Sequence, residues 1–344
     1  MMKIYMPSRI LDRHVGGNTT YARHIAQGMR ERGHQVLSMP AHTMAPVTAL
    51  LETGFGLRRG GAEDVLHYVA DTGPLLDTRR PSVVTVHGVA SRWISTARTP
   101  RQEWTWRTRV SRAIAATDAV ITVSESSADD IADVFGLDRS RITSIPHGID
   151  VAHFSRPVVM SDAVRARVPK NFVLYLGNLE PRKNVVNLIR AFESPAVKAL
   201  GVPLVIAGKP AWNYSQILNE IEGSSNVIAL GFVSDDDRVA MMQNCALFAF
   251  PSLYEGFGFP VLEAMAAGAA VITTDRGSLK EVAGPALLFD GVDEEAIQAG
   301  LLHALEDSRR REESRVSGLT WASQFSWGRS VARHEEVYRA VLSA

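Results

Sequence analysis

The chain has 344 residues, 46% of them hydrophobic and 22% charged, with 37 basic and 37 acidic side chains and so no formal net charge. The length suits about two domains, and the charge balance speaks against nucleic acid as a partner. One cysteine, Cys245, excludes an intrachain disulfide and fits a reducing compartment.

The opening MMKIYMPSRILDR lacks the apolar core of a signal peptide, and no apolar run approaches the ~20 residues of a membrane span. A cytoplasmic protein is expected, at most peripheral on the inner membrane face. Residues 4–6 read as a strand and 20–32 as a helix. Between them lies His14-Val15-Gly16-Gly17-Asn18-Thr19-Thr20. Its glycines permit close backbone approach to a ligand, although a plain strand-to-helix turn competes. Residues 36–39, 65–69, 83–87, 120–123 and 142–145 are further strand candidates. His87-Gly88 closes one of them, at the carboxyl end where open sheets place ligands. A lone histidine is more often a structural hydrogen-bonding group.

Residues 92–112 hold Trp93, Trp104 and Trp106 among Arg92, Arg98, Arg101, Arg107, Arg109 and Arg112. Such a segment can rest peripherally on a membrane or grip an anionic acceptor. A surface helix with a core stripe at Trp106, Val110 and Ala113 is the simpler account. His147-Gly148 reads as a turn near the end of the first domain. The boundary is expected within 155–170, around Pro157 and Pro169, giving domains 1–160 and 170–325.

The second half restarts the rhythm. Strands at 172–176, 204–207, 227–230, 247–250 and 271–273 alternate with helices at 185–192, 215–222, 237–244 and 261–267. Short, non-alternating apolar strands between helices mean a parallel sheet covered on both faces. The fold class is therefore α/β, with two Rossmann-like domains whose parallel sheets face each other across a cleft. Residues 326–344 are expected to cross back to the first domain as an amphipathic helix, with Val331, His334, Val337, Tyr338 and Val341 on one side.

The richest motif is PSLYEGFGFPVLEAMAAG at 251–268. Glu255 and Glu263 flank the turn Gly256-Phe257-Gly258-Phe259-Pro260. Glycines ahead of a helix start bare backbone N–H groups to an anion, and the helix dipole assists. Carboxylates on either side of a phosphate cradle suit hydroxyl groups, as in a diphosphate with a sugar at each end. A hydrolytic acid–base pair is disfavoured, since eight helical residues rise about 12 Å and such pairs stand roughly 5–9.5 Å apart. LYLGNLEPRKN adds Arg182 and Lys183 before a helix, cations suited to the same anion. No H-E-x-x-H and no paired cysteines occur. Asp235-Asp236-Asp237 has an acid-x-acid pattern, but helix capping and dipole compensation explain it more simply. Cys245 reads as a packing residue.

With these residues in view, the chain resembles the retaining glycosyltransferases of family 4, which have the GT-B fold. Carrying the likeness are Gly16-Gly17, His87-Gly88, Val123-Ser124-Glu125-Ser126, Pro146-His147-Gly148-Ile149-Asp150, GNLEPRKN, Gly208-Lys209, Leu230-Gly231-Phe232-Val233, and Glu255-Gly256-Phe257-Gly258 with Glu263. Two runs, LEPRKN and GKPAW, look most like bacterial mannosyltransferases of polysaccharide or secondary-metabolite assembly. The resemblance implies that Arg182 and Lys183 neutralise a donor diphosphate and that Glu263 holds the ribose hydroxyls. Glu255 would face the transferred sugar, and backbone N–H groups of Gly256, Phe257, Gly258 and Phe259 would contact sugar and phosphate. Phe232 and Val233 would border the base; His87 and Gly17 would approach sugar and diphosphate. Many relatives carry arginine at the position of Asn178, which shifts charge work to Arg182. Many also have asparagine at the position of His147, and that histidine receives no role.

The implied reaction is metal-independent transfer of a sugar from a nucleoside diphosphate-sugar donor to a hydroxyl of a glycan, lipid or small-molecule acceptor, without a prosthetic group. A nucleotide-sugar epimerase, a sugar phosphorylase and a catalytically silent nucleotide-sugar-binding subunit are the alternatives. A dehydrogenase is disfavoured because the three-glycine fingerprint is missing.

Overall fold

Ser82–Thr85, Leu204–Ala207 and Leu247–Phe250 are buried at every position and have no exposed face. Strands of this kind need cover on both sides, which crossover helices supply in a parallel sheet. The computed structural model describes residues 1–12, 16–94 and 99–344. They divide into two units, Met1–Gly148 with Ser326–Ala344, and Ile149–Phe325.

The first unit has strands β1 (Lys3–Pro7), β2 (Gln35–Met39), β3 (Asp64–Tyr68), β4 (Ser82–Thr85), β5 (Ala119–Thr122) and β6 (Ile142–Ser144). All pair in parallel in the order β2-β1-β3-β4-β5-β6, with Ile4 in register with Val36 and Val65. Each face has its own core. On one, Ile4 and Met6 meet Tyr21, Ile25 and Met29 of helix Gly17–Glu31, together with Val331 and Tyr338 of helix Trp327–Ser343. On the other, Leu66, Tyr68 and Val84 meet Phe55 of helix Ala45–Gly56 and Val110 and Ala113 of helix Pro100–Ala115.

The second unit has β7 (Val173–Leu176), β8 (Leu204–Ala207), β9 (Val227–Gly231), β10 (Leu247–Phe250), β11 (Val271–Thr273) and β12 (Leu287–Leu288). These are parallel in the order β12-β11-β10-β7-β8-β9. Successive strands run outward from β7 to β9, and the chain then returns to lay β10 on the other side of β7. Two parallel Rossmann-like sheets are thus the fold class that the strand pattern implies.

Residues 149–160, which the sequence pattern assigns to the first half, belong with the second unit. Local hydrogen bonds hold them there. The Ile149 N–H donates to the Phe325 carbonyl, and the Gln243 amide donates to the carbonyls of Phe154 and Arg156. The Ser161 N–H then donates to Asp237 Oδ1 at 2.7 Å. Among the described residues no helix is long and apolar enough to cross a membrane.

Candidate active site

In an open parallel sheet, ligands bind at the carboxyl ends of the strands where the winding direction switches. In the second unit that point lies between β7 and β10. The chain leaves β7 through Gly177 into a single 3-10 turn, Pro181–Lys183. It leaves β10 through Pro251 towards Glu255. The Leu253 N–H donates to the Arg182 carbonyl and joins the two loops at 2.9 Å.

Glu255 is the hub, only 6% exposed. Lys183 Nζ lies 2.6 Å from its Oε1 and Arg182 Nη1 2.7 Å from its Oε2. Ser252 Oγ donates to Oε1 at 2.6 Å. Arg182 also donates from Nε to Glu180 Oε1 at 2.9 Å and from Nη1 to the Tyr254 carbonyl at 2.8 Å. The Ser278 N–H and hydroxyl both donate to the Glu255 carbonyl, which fixes the backbone. Burial alone would raise the Glu255 carboxyl, but Arg182 and Lys183 outweigh it and hold the pKa at about 2. Burial lowers Lys183, and the positive charge of Arg182 adds to that lowering. Burial also works against Arg182, yet Glu255 and Glu180 together raise it. The cations expected to be open to a diphosphate are therefore already paired with carboxylates, and four groups of zero net charge share the site.

Three residues beyond Glu255, helix Phe259–Ala266 begins at Gly258, whose φ of +102° a side chain would resist. Pro260 occupies its first turn. Phe257 is buried edge-on to Phe259, with ring centres 5.2 Å apart, and Gly256 is half-buried. Glu263 belongs to a separate ion pair, with Arg238 Nη1 2.6 Å from Oε2. Arg238 also pairs with Asp235 and lies 5.1 Å over the Phe154 ring. On the other side of the sheet's switch, Phe232 is 66% exposed and Val233 half-buried. Lys209 Nζ stands 4.0 Å over the Phe232 ring. The Gly208 N–H donates to the Gly231 carbonyl, so these two loops stay together.

In the first unit, Gly16, at φ +127°, precedes Gly17 at the start of its helix. Arg13, His14 and Val15 lie outside the described residues, as do Ser95, Thr96, Ala97 and Arg98. His87 sits just past β4, with Nε2 2.9 Å from the Val69 carbonyl oxygen, and its N–H donates to Asp71 Oδ1 at 2.8 Å. Its ring meets Tyr21 edge-on at 5.0 Å. His147, read from sequence as part of a turn, is 3% exposed in the same cluster, where burial pushes its pKa well below the ordinary value.

Among the described residues no group of three or more His, Cys, Asp or Glu could hold a metal ion. Asp235, Asp236 and Asp237 are committed to Arg238 and His153, to Arg156, and to Ser161 and Ser234. Burial pushes the Cys245 thiol up to about 12, which suits a packing residue and not a nucleophile. Sequence reasoning passed over Glu180, Arg238, Ser252, Gly277 and Ser278. Glu180 and Ser252 lie inside the runs LEPRKN and PSLYEG, and Arg238 stands three residues after Asp235 on one helix face; Gly277 and Ser278 left no signal.

Residues 160–318 match the family of glycosyl transferases group 1, and residues 57–153 match Glycosyltransferase Family 4. Both matches are to glycosyltransferase families, one in each half of the chain. The chain is 31% identical over 228 residues to the O-antigen chain mannosyltransferase B of Escherichia coli, covering 64% of this chain and 60% of that one. It is 34% identical over 221 residues to the serotype-specific mannosyltransferase WbdA of Escherichia coli, covering 61% of this chain and 27% of that one. The chain thus spans less than two thirds of the length of these relatives. The structure of HepE from Anabaena in complex with UDP-glucose aligns over the whole of both chains with a TM-score of 0.73 at 18% identity, a likeness of fold. That fold is GT-B.

Proposed function

We propose that the protein is a retaining glycosyltransferase that moves a hexose from a nucleoside diphosphate-sugar to a hydroxyl of a glycan, lipid-linked sugar or small molecule. The observation that carries this reading is the buried Glu255 held by Lys183, Arg182 and Ser252 at the β7/β10 switch. Mannose is the first sugar to test, because both Escherichia coli relatives are mannosyltransferases. The UDP-glucose bound by HepE supports a nucleoside diphosphate donor.

The bond between the anomeric carbon and the diphosphate oxygen breaks. The acceptor oxygen bonds that carbon on the same face, and its proton passes to the leaving phosphate. Charge builds on the diphosphate and needs preorganised donors. Arg182 already makes four hydrogen bonds, leaving one of its five N–H groups. Lys183 makes one and keeps two N–H groups for a phosphate. Lys183 is therefore the main diphosphate contact, and Arg182 chiefly positions Glu255. Glu255 takes sugar hydroxyls and Glu263 the ribose hydroxyls. Gly256, Phe257, Gly258 and Phe259 line the sugar and phosphates, while Phe232 and Val233 border the base. The unused N–H groups of Lys183 and Arg182 and the helix start act as preorganised donors to the diphosphate in place of a metal.

The test is release of nucleoside diphosphate from GDP-mannose, UDP-glucose and related donors with methyl glycosides as acceptors. NMR of the product then reads the anomeric configuration. Lys183→Ala should slow transfer by about 10²–10³-fold, and EDTA should leave the wild-type rate unchanged. Near-normal transfer by Lys183→Ala, or an inverted anomer, would overturn the reading.

A further inference from the structure

Helix Ala45–Gly56 reads APVTALLETGFG. Its one charged side chain, Glu52, is fully buried against Arg9. Its outward stripe is Val47, Leu50, Leu51, Gly54 and, at the cap, Leu57, the i, i+3, i+4, i+7 spacing of a single face. Leu50 is 67% exposed, and Met44 just ahead of the helix is 59% exposed. A surface helix of a water-soluble unit ordinarily turns its polar residues outward; this one turns leucines outward and then runs into exposed Arg58 and Arg59.

The neighbouring elements extend the same face. Helices Ala45–Gly56 and Pro100–Ala115 pack on one core cluster, on one side of the sheet. The segment between β3 and β4 is strung between them, since the Leu75 N–H donates to Thr53 Oγ1 and the Thr78 N–H to the Ala116 carbonyl. Leu76 on that segment is 56% exposed, and Trp104 on the second helix 69%. The exposed charges of these elements and of residues 57–63 are Arg58, Arg59, Arg79, Arg101 and Arg112 against Glu63 and Asp77, in a chain whose total charge is balanced.

We propose that this face docks on an anionic lipid bilayer. The leucines and Trp104 enter the boundary between headgroups and acyl chains, and the arginines pair with lipid phosphates. A second copy fits less well, because a two-fold contact would set arginines against arginines. The sequence pattern raised membrane contact at residues 92–112 only beside the simpler account of a surface helix; the apolar centre of this face lies on helix Ala45–Gly56. The inference does not depend on the transfer reaction.

The chain is mixed with vesicles of phosphatidylcholine, with and without phosphatidylglycerol, and sedimented at low and high salt. Binding is expected only with phosphatidylglycerol, weakening as salt rises. Leu50→Glu with Leu51→Glu should abolish it while leaving Tm unchanged, as both side chains are exposed. Arg58→Gln and Arg59→Gln should each weaken partitioning by about fivefold. Failure to bind either vesicle, or binding indifferent to the leucine substitutions, would overturn the proposal. So would a concentration-dependent dimer in light scattering that the leucine substitutions dissolve in the absence of vesicle binding.

Discussion

Glu255 is a carboxylate whose contribution to stability can be read by pH. Its pKa falls from an ordinary 4.5 to about 2 because two cations outweigh the cost of burial. A carboxyl lowered in the folded state stabilises fully above pH 4.5, and that contribution is lost as pH falls towards 2. The shift amounts to about 3 kcal/mol. Replacing Glu255 by Gln leaves Lys183 buried without its carboxylate, a change worth about 3–5 kcal/mol. Urea unfolding at pH 7 should show that loss, and the variant should lose less stability than the wild type between pH 4.5 and 2. Equal acid slopes would place the acid sensitivity elsewhere. Arg182→Lys is expected to be costly as well, since an ammonium cannot span Glu180, Glu255 and the Tyr254 carbonyl together.

At the scale of elements, the loop after β11 decides where Glu255 points. Gly277 has φ +59°, and a Cβ there would lie 2.7 Å from the Glu255 carbonyl oxygen. Gly277→Ala should therefore push that backbone and displace the carboxylate from Lys183. A 1 Å displacement of a catalytic group can cost about 10²-fold in rate. Transfer should fall on that order, with Tm lowered modestly; an unaffected rate would show that Ser278 alone holds the loop. Nothing in the sequence near Gly277 announces this, because the contact joins residues 22 apart through the β11 strand. Strand runs such as LVIA and LFAF were legible because burial on both faces leaves only apolar residues. The motif around Glu255 was legible because its glycines, proline and carboxylates are local. The pairing of Glu255 with Arg182 and Lys183 was not, since it arises only when β10 is laid beside β7. Helix Ser308–Ala322 also escaped notice, as its polar residues surround it and leave no 3.6-residue period. The same holds for residues 149–160, which hydrogen bonds and not composition attach to the second unit.

At the scale of the whole molecule, the chain ends by returning to the unit in which it began, and a buried polar cluster fastens that return. Helix Trp327–Ser343 carries His334 and Tyr338, both fully buried. His334 Nε2 lies 2.7 Å from the Tyr21 hydroxyl, whose oxygen also lies 2.8 Å from Thr85 Oγ1. The Tyr338 hydroxyl meets His67 Nδ1 at 2.6 Å. Burial lowers the pKa of His334 from 6.5 to about 4, and lowers His67 and His147 as well. Each is held neutral in the folded state and gains a proton more readily when unfolded. Stability from His334 is thus complete above pH 6.5 and declines as pH falls towards 4, by about 3 kcal/mol. This window lies above the one set by Glu255, so the two losses separate on one titration. The protection factors of the amides in helix Trp327–Ser343, observed exchange corrected for the intrinsic rate at each pH, should fall across pH 6.5 to 4 while those of the second unit hold. His334→Gln should start less stable at pH 7, having lost the contact with Tyr21, yet decline less steeply because one of the three buried histidines no longer titrates. A variant with the wild-type slope would mean that the acid response resides in His67 and His147, and that His334 only joins the returning helix to Tyr21.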